Sequence, residues 1–131
     1  MELINIIAAA IGAWAFGSLW YMKLAKQWMA VSGVPVGEDG NPKNSSTPTP
    51  YVISFVAILV VAGMMRHMFG MAGIDSVGKG LLSGLGVGAF FISPWILINN
   101  TYTMRPLNLT LIDGGYATFG CGIMSLILTL F

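Results

Sequence analysis

The run KGLLSGLGVGAFFISPWILI, Lys79 to Ile98, is twenty residues long and carries no charge after its first residue. At about 1.5 Å of rise per residue it measures about 30 Å as a helix, which is the thickness of the hydrocarbon layer of a bilayer. Gly80, Gly84 and Gly88 recur every four residues, with Gly78 and Gly86 beside them. They leave one bare strip on which another backbone can pack closely. Nothing in the run alternates with the period of a barrel strand, and lipid offers no partner for backbone groups, so the run must close its own hydrogen bonds as a helix.

Three further runs have the same character: Leu3 to Met22, Tyr51 to Phe69 and Leu111 to Phe131. Together the four occupy most of the 131 residues. The chain is 56% hydrophobic and 8% charged, with a mean hydropathy of +0.79, too few charges to clothe a soluble globule of this size. The expected architecture is all-α: a single integral membrane domain over residues 1–131, built as an antiparallel bundle of four transmembrane helices. Short links force neighbouring helices to run antiparallel, and the tight second connection makes the second and third helices a hairpin. A formal net charge of +1 carries no field that would recruit nucleic acid. Cys121, the only cysteine, reads as a small apolar core residue and gives no disulfide or paired metal motif.

The first run has Glu2 ahead of it and Lys23 and Lys26 behind it, the reverse of a cleaved leader, so it is expected to stay attached. The face of the first and third connections holds Lys23, Lys26, Lys43 and Arg105; the opposite face holds only Arg66 and Lys79. That asymmetry places both termini outside. KLAKQWMAV, from Lys23, continues as an interfacial helix with Leu24, Trp28 and Val31 on one stripe and Lys23, Lys26 and Gln27 turned elsewhere. Trp20, Tyr21, Lys26 and Trp28 are the expected interface anchors. Residues 32–50, rich in glycine, proline and small polar residues, form a mobile aqueous loop.

Ala9, Ala13 and Gly17 repeat the small-residue ladder in the first run, and Gly114, Gly115, Gly120 and Gly122 add more bare surface in the fourth than a four-helix bundle obviously requires. Pro94 removes a backbone donor late in the third run. It marks either a hinge or polar notch, or an ordinary membrane-helix proline eased by Ser93 or a neighbouring helix.

Even the mildest figure for a charge at mid-membrane is about 2.5–3.5 kcal/mol, so ionisable groups in the spans come first in a search for function. Asp113 lies deepest. In RPLNLTLIDGGY (Arg105–Tyr116) Thr110 can cap the fourth helix, which puts Asp113 at its third position, where a carboxylate suits the positive helix end. The competing reading is a substrate or proton site, with Arg105 as the neutralising partner of Asp113. Asn99, Asn100 and Tyr116 fall at the same end, and that end is the candidate polar site. In GMMRHMFGM (Gly63–Met71), Met64, His67, Met68 and Met71 share a helix face, the only candidate set for a soft metal such as copper(I). No second histidine or cysteine completes it, methionine is also a flexible filler of apolar gaps, and Arg66 and His67 are placed to reach the interface. No paired carboxylates, Cys–His dyad or phosphate loop points to an enzyme, and no cofactor is implied.

GSLWYMKLAKQW (Gly17–Trp28), the glycine-rich third run ending SPWILINN, and RPLNLTLIDGGY together resemble the bacterial membrane-protein family called domain of unknown function 1761. The resemblance runs in order through nearly the whole chain. The family's Trp-Tyr pair corresponds to Trp20 and Tyr21, its basic residue and second Trp to Lys26 and Trp28, its Arg-Pro to Arg105 and Pro106, and its acidic or amide residue and Gly-Tyr to Asp113 and Gly115–Tyr116. Ala25 stands where the family has glycine, and the Met, Arg and His cluster lies outside the pattern. The resemblance implies a four-helix protein of the bacterial inner membrane and no established reaction. Two functional readings follow: a non-enzymatic bundle that associates with itself or with a larger membrane complex, and a small proton-coupled transporter of the multidrug type that relies on Asp113. Copper(I) handling is a third.

Overall fold

The computed structural model describes residues 2–131. The elements are α1 (Glu2–Lys23), α2 (Ala25–Ser32), α3 (Thr49–Ala72), α4 (Val77–Val87), α5 (Ser93–Tyr102) and α6 (Leu107–Leu130), with a π-helical turn over Gly88–Ile92 joining α4 and α5 into one rod. Four helices, α1, α3, the α4–α5 rod and α6, are long and apolar enough to cross a membrane. The chain is thus a multi-pass helical membrane protein. Both chain ends, the end of α3 and the start of α4 share one face, here the termini end; α2 and the longer connections occupy the loop end.

The spans outrun the expected ones because local caps extend them. Ser76 accepts a hydrogen bond from the Lys79 amide (3.3 Å) and starts α4 at Val77, as an N-cap serine does. Pro50 sits in the first turn of α3, where a missing N–H costs nothing. Gly73 ends α3 with φ 71° and returns its N–H to the Phe69 carbonyl, the left-handed cap that glycine adopts without strain.

α6 is the centre. It packs against α1 on one side and against the α4–α5 rod on the other, while α3 packs mainly on α1 and touches α6 less. The expected hairpin of the second and third helices is not formed: α3 and α4 are adjacent in sequence but do not pack along each other. The reason lies in the side chains. The Gly80, Gly84 and Gly88 strip faces Thr129, then Ser125 with the Cys121 carbonyl, then the backbone of Ala117 and Thr118, so the closest approach available to α4 is to α6. α1 offers Ala9, Ala10, Ala13 and Gly17, all buried, and between them and α3 and α6 lies a core of Ala62, Met65, Phe69, Cys121, Met124 and Leu128. The glycines of α6 that looked surplus are all occupied within the chain: Gly114 lies against Ser93, Gly115 against Trp20, Gly120 against Tyr116 and Gly122 against Leu85.

The π turn is how Pro94 is absorbed. The Ser93 amide bonds to the Gly88 carbonyl five residues back, and the Ser93 hydroxyl lies 2.7 Å from that carbonyl and 3.1 Å from the Gly114 carbonyl of α6. A proline that deletes a rung is thus eased by the adjacent serine and by the neighbouring helix. Within the 32–50 segment Val36 and Pro42 pair as an isolated bridge. The amides of Gly37 and Lys43 bond to the carbonyls of Asn41 and Pro35, closing a small hairpin around Gly40.

At Gly88 an added Cβ would collide with backbone atoms of Ala117 and Thr118, which cannot swing aside. Gly88→Ala is expected to lower the unfolding free energy in mild detergent by about 1–3 kcal/mol, the range for overpacking. Gly86→Ala, where nothing lies within 4 Å, is the control and gains up to about 1 kcal/mol of helix propensity. Equal effects at the two sites would contradict the backbone contact.

Candidate functional site

α6 starts at Leu107 behind Pro106, with no side-chain cap. The helix start expected at Thr110 is therefore one turn too late, because proline fixes an extended Pro106 and then begins the helix itself. Asp113 consequently sits at the seventh helical position rather than the third, beyond the first turn where the helix dipole acts. Thr110 does not cap; its hydroxyl accepts from Asn100 Nδ2 (3.0 Å), which ties α5 to α6.

The partner of Asp113 is a phenol. The Tyr21 hydroxyl donates to Asp113 Oδ1 at 2.6 Å, from the last turn of α1. Tyr21 also meets Trp28 of α2 and Tyr116 of α6 edge-on, with ring centroids 5.9 and 5.5 Å apart. Tyr116 donates to the Ala13 carbonyl (3.2 Å) and lies against Gly17, where there is no Cβ to exclude its ring. Trp20 Nε1 donates to the Ile112 carbonyl (2.9 Å). Of the expected anchors, Trp20 and Tyr21 thus turn into the bundle, because each carries a polar tip that finds an acceptor on α6. Lys26 is exposed. Leu24, Trp28 and Val31 are half-buried, as their spacing predicts, together with Ala25, Met29 and Ser32, while Lys23 and Gln27 are exposed.

Arg105 does not meet Asp113. Its guanidinium lies over Gly33, the residue with φ 73° that closes α2. Asn99 is exposed and Asn100 half-buried. The structure therefore brings Asp113, Tyr21, Tyr116 and Trp28 together at the loop end and does not join Arg105 or Asn99 to them.

At the termini end a second polar group went unseen in the sequence. Asn5 is 1% exposed; its Nδ2 donates to the carbonyls of Ile127 and Phe131, both at 3.2 Å, and its Oδ1 accepts from Arg66 Nη1 at 2.7 Å. The same Nη1 reaches the Leu128 carbonyl (3.2 Å), and Arg66 Nε stands 3.6 Å from Glu2. Arg66 turns inward across α1 and α6 instead of snorkelling to water, since α6 ends there with carbonyls that lack helical partners. This is the one ion pair among the described residues. An asparagine four residues into the chain gives no periodic signal; only its polarity inside an apolar run marks it. Met64, His67, Met68 and Met71 are exposed on α3, and no group of three His, Cys, Asp or Glu side chains stands together among the described residues.

A family model described as "Protein of unknown function (DUF1761)" matches residues 4–129. The chain belongs to that family. No curated protein and no solved structure matches it.

Interhelical hydrogen bonds in bilayers couple by about 0.6–1.7 kcal/mol. A double-mutant cycle on Tyr21→Phe and Asp113→Ala, read by unfolding in detergent, is expected to fall in that range, and Arg105→Ala to leave it unchanged. No measurable coupling, or a coupling that vanishes with Arg105, would show that the hydrogen bond is misassigned.

Proposed function

We propose that this protein is a non-enzymatic membrane subunit that assembles with copies of itself, either alone or within a larger membrane complex. The supporting observation is the open order α3, α1, α6, α4–α5. α6 is flanked on both sides, whereas α3 and the α4–α5 rod are each packed on one side only. An apolar groove of about 430 Å³ runs over α6 between α1 and α4, lined among others by Phe16, Trp20, Leu85, Phe119 and Ile123. A groove of this shape admits the side chains of a helix from a second copy. The small-residue strips do not support the reading, since they are filled within the chain.

The same proposal places the protein in a bacterial inner membrane with both termini outside. Arg66 is engaged inside the bundle, so Lys23, Lys26, Lys43 and Arg105 at the loop end face only Lys79 at the other, a stronger bias than the raw count.

A second reading rests on one observation. Asp113 is a carboxylate a turn and a half inside a spanning helix, held by a phenol and not by the helix end, which is the setting of a proton relay. It would serve a small proton-coupled transporter of the multidrug type.

Native mass determination in mild detergent is expected to give a dimer or larger species, and a reporter fused after Phe131 to respond from outside the cell. A strictly monomeric protein overturns the assembly, and a reporter responding from the cytoplasm overturns the orientation. For the transport reading, proteoliposomes carrying Asp113→Asn should lose proton-gradient-driven flux; unaltered flux in that variant dismisses it.

A further inference from the structure

At the termini end, on the side away from the groove, the end of α3 and the link after it leave a cleft of about 560 Å³ against the end of α6. Its polar walls are Glu2, Arg66, His67, Asp75 and Thr129; Phe69, Ile74 and Leu128 are in the apolar part. Arg66 uses Nη1 and Nε for its contacts with Asn5, Leu128 and Glu2, and Nη2 bonds to none of the described residues. No buried side-chain nitrogen or oxygen among those residues lacks a partner, so Nη2 is accessible, and the open space beside it is this cleft.

The charges are ordered by depth. Arg66 lies six residues before the end of α3, about 9 Å into the span. Asp75 lies in the link beyond the helix end and is exposed, with no hydrogen-bond partner among the described residues. Glu2 stands at the rim, 73% exposed. A ligand suited to this order carries an anion on its inner side, an ammonium on its outer side and an apolar part that continues into the bilayer.

We propose that the cleft binds the headgroup of a phospholipid with a primary amine, a phosphoethanolamine. The phosphate bonds to Arg66 Nη2, and the ammonium donates to the carboxylates of Asp75 and Glu2. Guanidinium suits phosphate because its donors are fixed in a plane. A trimethylammonium headgroup has no N–H to give Asp75, and a glycerol headgroup has no cation at all. Neither therefore gives Asp75 a hydrogen bond from a cation, and the glycerol hydroxyls give it only one from a neutral donor.

The test is native mass spectrometry of the full chain released from mixed micelles holding equal amounts of phosphatidylethanolamine, phosphatidylcholine and phosphatidylglycerol. Phosphatidylethanolamine should be retained about tenfold over the other two, the factor expected for one charge-assisted contact. Asp75→Asn should erase that preference, and Asp75→Lys should transfer it to phosphatidylglycerol. Asp75 belongs to no helix and holds no partner, so these variants keep the fold, and an unchanged elution profile verifies it. Equal retention of the three lipids, or a preference that Asp75→Lys does not move, overturns the proposal. Displacement of the lipid by an equal concentration of free phosphoethanolamine overturns the lipid as the source of the headgroup.

Discussion

The close approach of α4–α5 to α6 is the constraint on which the remaining architecture depends. Without a hydrophobic driving force between helices in lipid, what holds them is dispersion over matched surfaces and the few polar contacts that cross between them. Gly80, Gly84 and Gly88 let the rod settle onto the backbone of α6 at Ala117, Thr118 and Cys121. That contact also carries the Ser93 hydroxyl within reach of the Gly114 carbonyl, so the break at Pro94 is repaired by the helix it packs against. Once one flank of α6 is occupied in this way, α1 with its alanines takes the other, and α3 is left to pack on α1. The open order is a consequence of which helices carry small residues.

Polar groups follow the same economy of partners. In lipid each must be satisfied inside the protein, and no buried side-chain polar atom among the described residues is left alone. Two solutions occur at opposite ends. At the loop end a short acceptor, Asp113, waits on α6 for the Tyr21 phenol that reaches it from α1. At the termini end a long donor, Arg66, crosses from α3 to Asn5 and the last carbonyls of α6. The asparagine is suited to its place because its amide fills both roles: two donors face α6 and one acceptor faces the guanidinium.

Features that depend on one helix alone were legible in the sequence. Span lengths follow from apolar runs, the glycine strip from its period of four, and the covered stripe of α2 from Leu24, Trp28 and Val31. Features that depend on which helix comes next were not. Asp113 and Arg105 belong to the same end, but facing is decided by rotation about α6 and by the extra turn that Pro106 adds. Arg66 near a span end reads as a snorkelling side chain until α6 is seen to finish beside it. The surplus glycines of α6 are surplus only if α6 has two neighbours' worth of ordinary contact; in fact Trp20, Leu85 and Ser93 press on it from other elements, and its own Tyr116 covers Gly120.

The two polar ends are not equivalent in what they offer a visitor. Asp113 Oδ1 accepts from the Tyr21 phenol, and the rings of Trp28 and Tyr116 pack on Tyr21 in turn. Through Trp28 the short helix α2 belongs to that cluster, so a ligand that competes for Oδ1 displaces Tyr21 and, with it, the seat of α2. Arg66 has no such cover. Its structural bonds use one amino group and Nε, and the remaining amino group stands over an open cleft. A molecule can meet that cation while every contact holding α1, α3 and α6 stays in place. Binding at the termini end is therefore compatible with a rigid bundle, whereas replacing the phenol at Asp113 Oδ1 disturbs the end of α1 and, through Trp28, α2.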